Sequence, residues 1–116
     1  MRTSLLPGLF DAEQRARRRG VSDVRLFATG AVFLPGDGLL AREARRFAAI
    51  LSGHRDVVLT KPVALDIYDA KGLALGIIER ALGRVASVRG LAASELSGLW
   101  HPRMTGAVLL GAVRVG

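Results

Sequence analysis

A chain of 116 residues that is half hydrophobic and only 23% charged has the material for one domain with one core and not two, and an unstructured chain is not expected. The absence of cysteine excludes a disulfide framework and thiolate chemistry, and no apolar run reaches the length that spans a bilayer. The net charge of +7 is carried by arginine, with Lys61 and Lys71 the two lysines; it invites a nucleic-acid reading, but the basic residues are scattered apart from one cluster.

The N-terminal stretch MRTSLLPGLFDAEQ lacks the pattern of a signal peptide, so a cytoplasmic protein is expected. Pro7 to Arg19 reads as a helix. Pro7 suits a first turn, Arg15, Arg17, Arg18 and Arg19 suit the C-terminal end of the helix dipole, and Gly20 is placed to stop it. These four arginines are the candidate phosphate or nucleic-acid contact, although a dipole-matched, solvated helix end explains them more simply. Val24 to Leu34 reads as a strand, bent at Thr29-Gly30. Pro35-Gly36-Asp37-Gly38 is a turn, with Asp37 placed to cap a helix from about Leu39 to Ser52. Leu40, Ala44, Phe47, Ala48 and Leu51 would form the apolar stripe of that helix, and Gly53 would end it.

The segment from Asp56 to Gly83 carries the densest local signals. Val57 to Thr60 and Val63 to Tyr68 read as strands joined at Lys61-Pro62, and Leu73, Ile77, Ile78, Ala81 and Leu82 recur at helical spacing. Asp69 is placed to cap that helix through the amide of Lys71 or Gly72, and Gly76 would allow close approach of a neighbouring element. Val85 to Leu91 reads as a strand, Ala92 to Trp100 as a short helical turn, and Ala107 to Val115 as a final strand. The hexamers TGAVFL at 29 and TGAVLL at 105 recur, which is too little to establish a repeat.

Reaction chemistry has little to stand on. The two histidines, His54 and His101, lie far apart and beside turns. Asp66 and Asp69 would face opposite sides of a strand, so a metal pair is disfavoured. There is no nucleophile elbow, phosphate-binding loop or zinc-protease motif. Gly36 and Gly38 lack the third glycine of a dinucleotide turn. Aromatic residues are few for base stacking. No motif implies a cofactor.

From Arg25 to Leu91 the chain resembles the STAS domain of anti-sigma-factor antagonists. Three features carry the resemblance: the strand Val24 to Thr29 with Gly30 followed by a helix at 39–51, the string VVLTKPVALDIYD, and Asp69, Gly72 and Leu73 at the family's regulatory loop and helix start. Ala70 stands where that family has a phosphorylatable serine, so the resemblance implies a partner-binding loop without a phosphorylation switch. PGDGLLAREARRF also resembles the loop and helix of an ACT-type domain, and ALDIYDAKGL the start of a bacterial microcompartment shell domain.

The fold expected is α/β: a single small domain with a mixed sheet of about four to five strands and helices packed on it. The alternative is an α+β ferredoxin-like β-α-β-β-α-β sandwich. Residues 1–20 form an N-terminal basic helix and 21–116 the domain. The function expected is a non-enzymatic regulatory protein–protein interaction module. Its working surface is Asp69, Ala70, Lys71, Gly72, Leu73 and Trp100, with no catalytic, cofactor-binding or metal-binding residue. A self-assembling structural component and a basic nucleic-acid-binding domain are the alternatives. The partner is then another protein or a second copy, with nucleic acid less favoured and no membrane span.

Overall fold

The computed structural model describes residues 2–55, 59–101 and 103–116. Among the described residues, two α-helices and five strands make an α/β protein, the class expected. Their order, helix, two strands, helix, three strands, does not follow the ferredoxin-like alternative. These strands fall into a two-stranded and a three-stranded sheet, and every pairing among the described residues is antiparallel. The chain divides into two compact units, Met1–Leu65 and Asp66–Gly116.

In the first unit, helix α1 spans Leu6–Arg18. Ser4 Oγ accepts from the Leu6 amide at 3.2 Å, which satisfies one donor at the helix start. The C-terminus closes as a Schellman turn. The Val21 amide donates to the Ala16 carbonyl and the Gly20 amide to that of Arg17, with Gly20 at φ +86°. Strand β1, Val24–Leu34, occupies the expected residues.

The next element departs from expectation. Residues Arg42–Ser52 are not a helix but strand β2, paired with β1 along its whole length from Val24↔Ser52 to Leu34↔Arg42. The helical stripe read from Leu40 to Leu51 is real in spacing, and Ala and Arg are good helix formers. Eleven residues of cross-strand pairing with β1 outweigh that local preference. Asp37 therefore caps no helix; it lies in the connection between the two strands. Gly36 is needed there, because a Cβ would sit 2.7 Å from the Leu40 carbonyl oxygen. The helix of the ACT-type and STAS-type matches is thereby lost.

Side chains alternate across the ribbon. The face holding Val24, Ala28, Gly30 and Val32 is covered by α1: Val24, Val32, Leu5 and Leu9 are buried, and a Cβ on Gly30 would lie 3.7 Å from Leu5 Cδ2. Beyond β2, His54 and Ala64 form an isolated antiparallel bridge, with the Arg55 amide donating to Val63 and the Leu65 amide to Gly53. Lys61-Pro62 therefore lies in a chain reversal and not in a crossover between parallel strands. The strand expected at Val63 to Tyr68 reduces to that bridge. Of the strand expected at Val57 to Thr60, Leu59 and Thr60 form a bend and the rest lies outside the described residues.

In the second unit, helix α2 spans Ile67–Leu82 and ends at Gly83, φ +64°. Its N-cap is Asp66 rather than Asp69, one turn earlier than the sequence suggests. Strands β3 (Ser87–Gly90), β4 (Gly106–Leu110) and β5 (Val113–Arg114) form the three-stranded sheet in the order β3-β4-β5. The expected final strand is thus two strands, reversed at Gly111, φ +61°. A 3₁₀ turn at Ala93–Glu95 precedes them. Ala86, Val108 and Leu110 are the core here, packed by Ala74, Leu75, Ile78 and Val88. A Cβ on Gly76 would meet nothing within 4 Å, so no neighbouring element of this chain makes the close approach expected there.

Candidate functional site

The β1–β2 ribbon of the first unit carries an apolar face on the side opposite α1. Alternation and register put Phe27, Ala31 and Phe33 of β1 on it, with Phe47, Ala49 and Leu51 of β2. Phe27 is 72% exposed and Phe47 46% exposed, and their rings stack with centroids 6.0 Å apart and an interplanar angle of 22°. Arg25 and Arg45 border this stripe, and Glu43 is the acid on it. Sequence reading placed Phe47 on a buried helical stripe, which hid the pair. The signal that would have found it is the run Phe47-Ala48-Ala49-Ile50-Leu51, an unbroken apolar stretch of strand length.

Polar ties hold the ribbon and its helix together. Glu13 of α1 accepts hydrogen bonds from Arg17 and, at 3.0 Å, from Ser52 Oγ of β2. The Arg17 guanidinium is the main reason its carboxyl lies below the usual range; partial burial opposes this and Ser52 adds to it. At the open end of the ribbon, Asp23 Oδ1 accepts from the His54 amide at 2.8 Å and lies 3.2 Å from His54 Nδ1. The backbone bond is the larger cause of the lowered pKa of Asp23. Arg25 donates to the His54 carbonyl at 2.8 Å, so the same turn is held from two sides. A groove of about 370 Å³ lies between Thr3 to Leu6 and Val32, Leu34 and Arg46.

The residues singled out from sequence lie as follows. Arg15, Arg17, Arg18 and Arg19 are exposed along the end of α1, with Arg17 engaged by Glu13. Asp69 is the third residue of α2 and its carboxylate accepts from the Asp66 amide at 2.9 Å; Ala70, Lys71, Gly72 and Leu73 are exposed on the following turn. Trp100 is 47% exposed and lines a cavity of about 280 Å³ with Leu91, Glu95, Leu96 and Thr105, a lining that includes none of residues 69–73. Glu95 is held there by Arg89 at 3.2 Å and by the Ala92 amide at 2.9 Å, which lower its pKa, Arg89 foremost. His54 and His101 fall in different units; His54 is bonded to Asp23, and His101 Nδ1 accepts from the Arg103 amide within its own loop. Among the described residues, no group of three or more His, Cys, Asp or Glu could hold a metal ion.

The comparisons with known proteins point in one direction. The family model described as "Phenylalanyl tRNA synthetase beta chain CLM domain" matches residues 1–116. The chain is similar to the phenylalanine–tRNA ligase beta subunit of Novosphingobium aromaticivorans, 34% identical over 118 residues, covering 99% of this chain and 15% of that protein. It is similar to that of Ruegeria pomeroyi, 36% identical over 118 residues, covering 99% of this chain and 14% of that protein. The corresponding subunit of Geobacillus kaustophilus is 31% identical over 119 residues, covering 100% of this chain and 14% of that protein. The chain thus spans about one seventh of the length of these relatives.

These matches overturn the resemblance to STAS domains and, with it, the expectation of a non-enzymatic regulator of the anti-sigma-antagonist kind. That resemblance rested on short strings of common residues, one of which folds as a strand where it required a helix. The expectation that the chain stands outside enzymes falls too, since the relatives are subunits of a ligase. No helix among the described residues is long and apolar enough to cross a membrane.

Proposed function

Because the chain belongs to the phenylalanyl tRNA synthetase beta chain CLM domain family, we propose that it works as a structural segment of a cytoplasmic phenylalanine–tRNA ligase. In this reading it builds contacts inside the beta subunit and toward a companion subunit. The observation that carries the assembly reading is the surplus of surface. The chain exposes 8989 Å², whereas two separate compact domains of its combined mass would expose only about 7,300 Å². Among the described residues no large side chain is fully buried, while Phe27, Tyr68, Leu99 and Trp100 stay substantially exposed. Exposed apolar area of this kind marks contact with other protein.

Co-expression of the tagged chain with the other ligase polypeptides of its own genome tests the reading. Co-purification in fixed proportion, with aminoacylation of tRNA with phenylalanine by the assembly, is the expected result. A chain that purifies alone, and whose removal leaves the aminoacylation rate unchanged, would overturn it.

A further inference from the structure

We propose that the uncovered face of the β1–β2 ribbon receives one amphipathic helix, with an apolar stripe bordered by carboxylates, from the rest of the ligase beta subunit. The proposal rests on the assembly reading above for the source of the helix, and on the ribbon itself for its shape and charge.

The ribbon is two strands wide. Strands lie about 4.8 Å apart, so with its side chains the face is about as broad as one helix, which measures about 10–12 Å. A second sheet would overhang it. The opposite face of the same ribbon already shows this arrangement, with Leu5 and Leu9 buried where α1 and the residue before it cover Val24 and Val32. From Phe27 to Phe33 is six residues, or about 20 Å of strand. About thirteen residues of helix cover that length, the same as α1, which has 13.

The aromatic pair supplies the grip. Phe27 stands opposite Ala49 and Phe47 opposite Thr29, so each ring overhangs a small neighbour on the other strand. The two stacked rings thus form one ridge beside the small Ala49 and Thr29, over which the groove of a helix fits. A two-stranded ribbon with one bare apolar face is marginal by itself, and a second layer completes it.

Charge decides the border of the incoming helix. Residues 1–65 contain eleven Lys and Arg against six Asp and Glu. On this face Arg45 and Arg25 flank the rings and Glu43 is the one acid among the described positions. A helix edged with lysines would be repelled along most of its length; one edged with aspartates or glutamates is drawn in and set in register.

The experiment exploits the absence of cysteine from the chain. Phe27→Cys and Phe47→Cys, with Ser22→Cys as the reference, are labelled with a maleimide in the isolated chain and in the assembled ligase. Positions 27 and 47 should slow by about tenfold or more on assembly relative to position 22. Benzoylphenylalanine at position 27 should then cross-link to a helix of the beta subunit that carries acidic residues beside its apolar stripe. Phe27→Leu should preserve assembly, since it keeps an apolar surface, while Arg45→Glu should weaken it.

Co-purification with unchanged labelling at 27 and 47 overturns the docking proposal and leaves the assembly reading standing. A cross-link to a strand, a basic segment, the companion subunit, a second copy or RNA also overturns it, as does loss of assembly in Phe27→Leu. Failure to co-purify at all overturns both readings together.

Discussion

Asp66 and Asp69 hold each other's backbone at the start of α2. Asp66 Oδ1 accepts from the Asp69 amide at 3.2 Å and from the Tyr68 amide at 2.9 Å, while the Asp66 amide donates to Asp69 Oδ2 at 2.9 Å. This reciprocal box satisfies orphan amides of the first turn and sets negative charge at the positive end of the helix dipole. The carboxylate pair that sequence alone tests as a metal site is a helix start.

Removing the box should therefore fray α2 and leave the first unit alone. Asp66→Ala is expected to cost about 1 kcal/mol, and Asp66→Asn much less because the amide oxygen still accepts. Urea unfolding of the isolated chain with helicity read by circular dichroism checks this. Equal losses for Ala and Asn would show that the side-chain oxygen is not what matters.

Three carboxylates, Glu13, Asp23 and Glu95, have lowered pKa values. In each the folded protein holds the charged form by donated hydrogen bonds: from Arg17 first to Glu13, from the His54 amide first to Asp23, and from Arg89 first to Glu95. A group whose folded pKa lies below its ordinary value stabilises the fold above that ordinary value, here 4.5 for Glu and 3.8 for Asp. The contribution is lost as pH falls through the lowered folded value. Stability from these groups should be level between neutral pH and about pH 5 and decline below. Glu13→Gln should make the decline shallower, and denaturant midpoints across the acid range would read it. A midpoint that rises on acidification contradicts the assignment.

The sequence announces α1, β1 and the existence of α2 because each is set by local chemistry. Gly20 demands a left-handed stop, Val24 to Leu34 has strand composition, and Leu73 to Leu82 repeats with helical period. What it hides is non-local. Arg42 to Ser52 has helix-forming residues at helix spacing, and β1 overrides them by pairing, an influence that no window of the chain contains. The exposed Phe27–Phe47 pair was invisible for the same reason, since the two rings are neighbours through register alone. At α2, Asp66 and Asp69 both suit capping, and the sequence does not say which one begins the turn. Gly111 marks a break inside a run that composition reads as one strand.

Gly53 is the glycine least open to replacement. Its φ is +96°, and a Cβ there would lie 2.5 Å from the Ser22 carbonyl oxygen and 2.8 Å from Asp23 Cα. The neighbours are backbone atoms and cannot rotate away. Gly53→Ala should therefore destabilise the first unit by more than about 1 kcal/mol. It should also separate Asp23 from the His54 amide, which a shift in the His54 amide resonance would show. An alanine variant with unchanged stability would mean that this end of the ribbon is looser than the structure shows.

Gly76 should behave in the opposite way. It lies inside α2, between Leu75 and Ile77, with ordinary helical backbone and open space where a Cβ would be. Glycine in a helix interior costs about 1 kcal/mol relative to alanine, through the backbone freedom it loses on folding. Nothing around Gly76 offsets that cost. Gly76→Ala should therefore raise the stability of the isolated chain by about 0.5–1 kcal/mol, read from the denaturant midpoint at unchanged slope. The same substitution in the assembled ligase separates two roles for the position. A gain in both settings means that the glycine carries no contact. A gain in the isolated chain with weakened assembly means that another part of the ligase approaches the α2 backbone at Gly76 too closely to admit a methyl group.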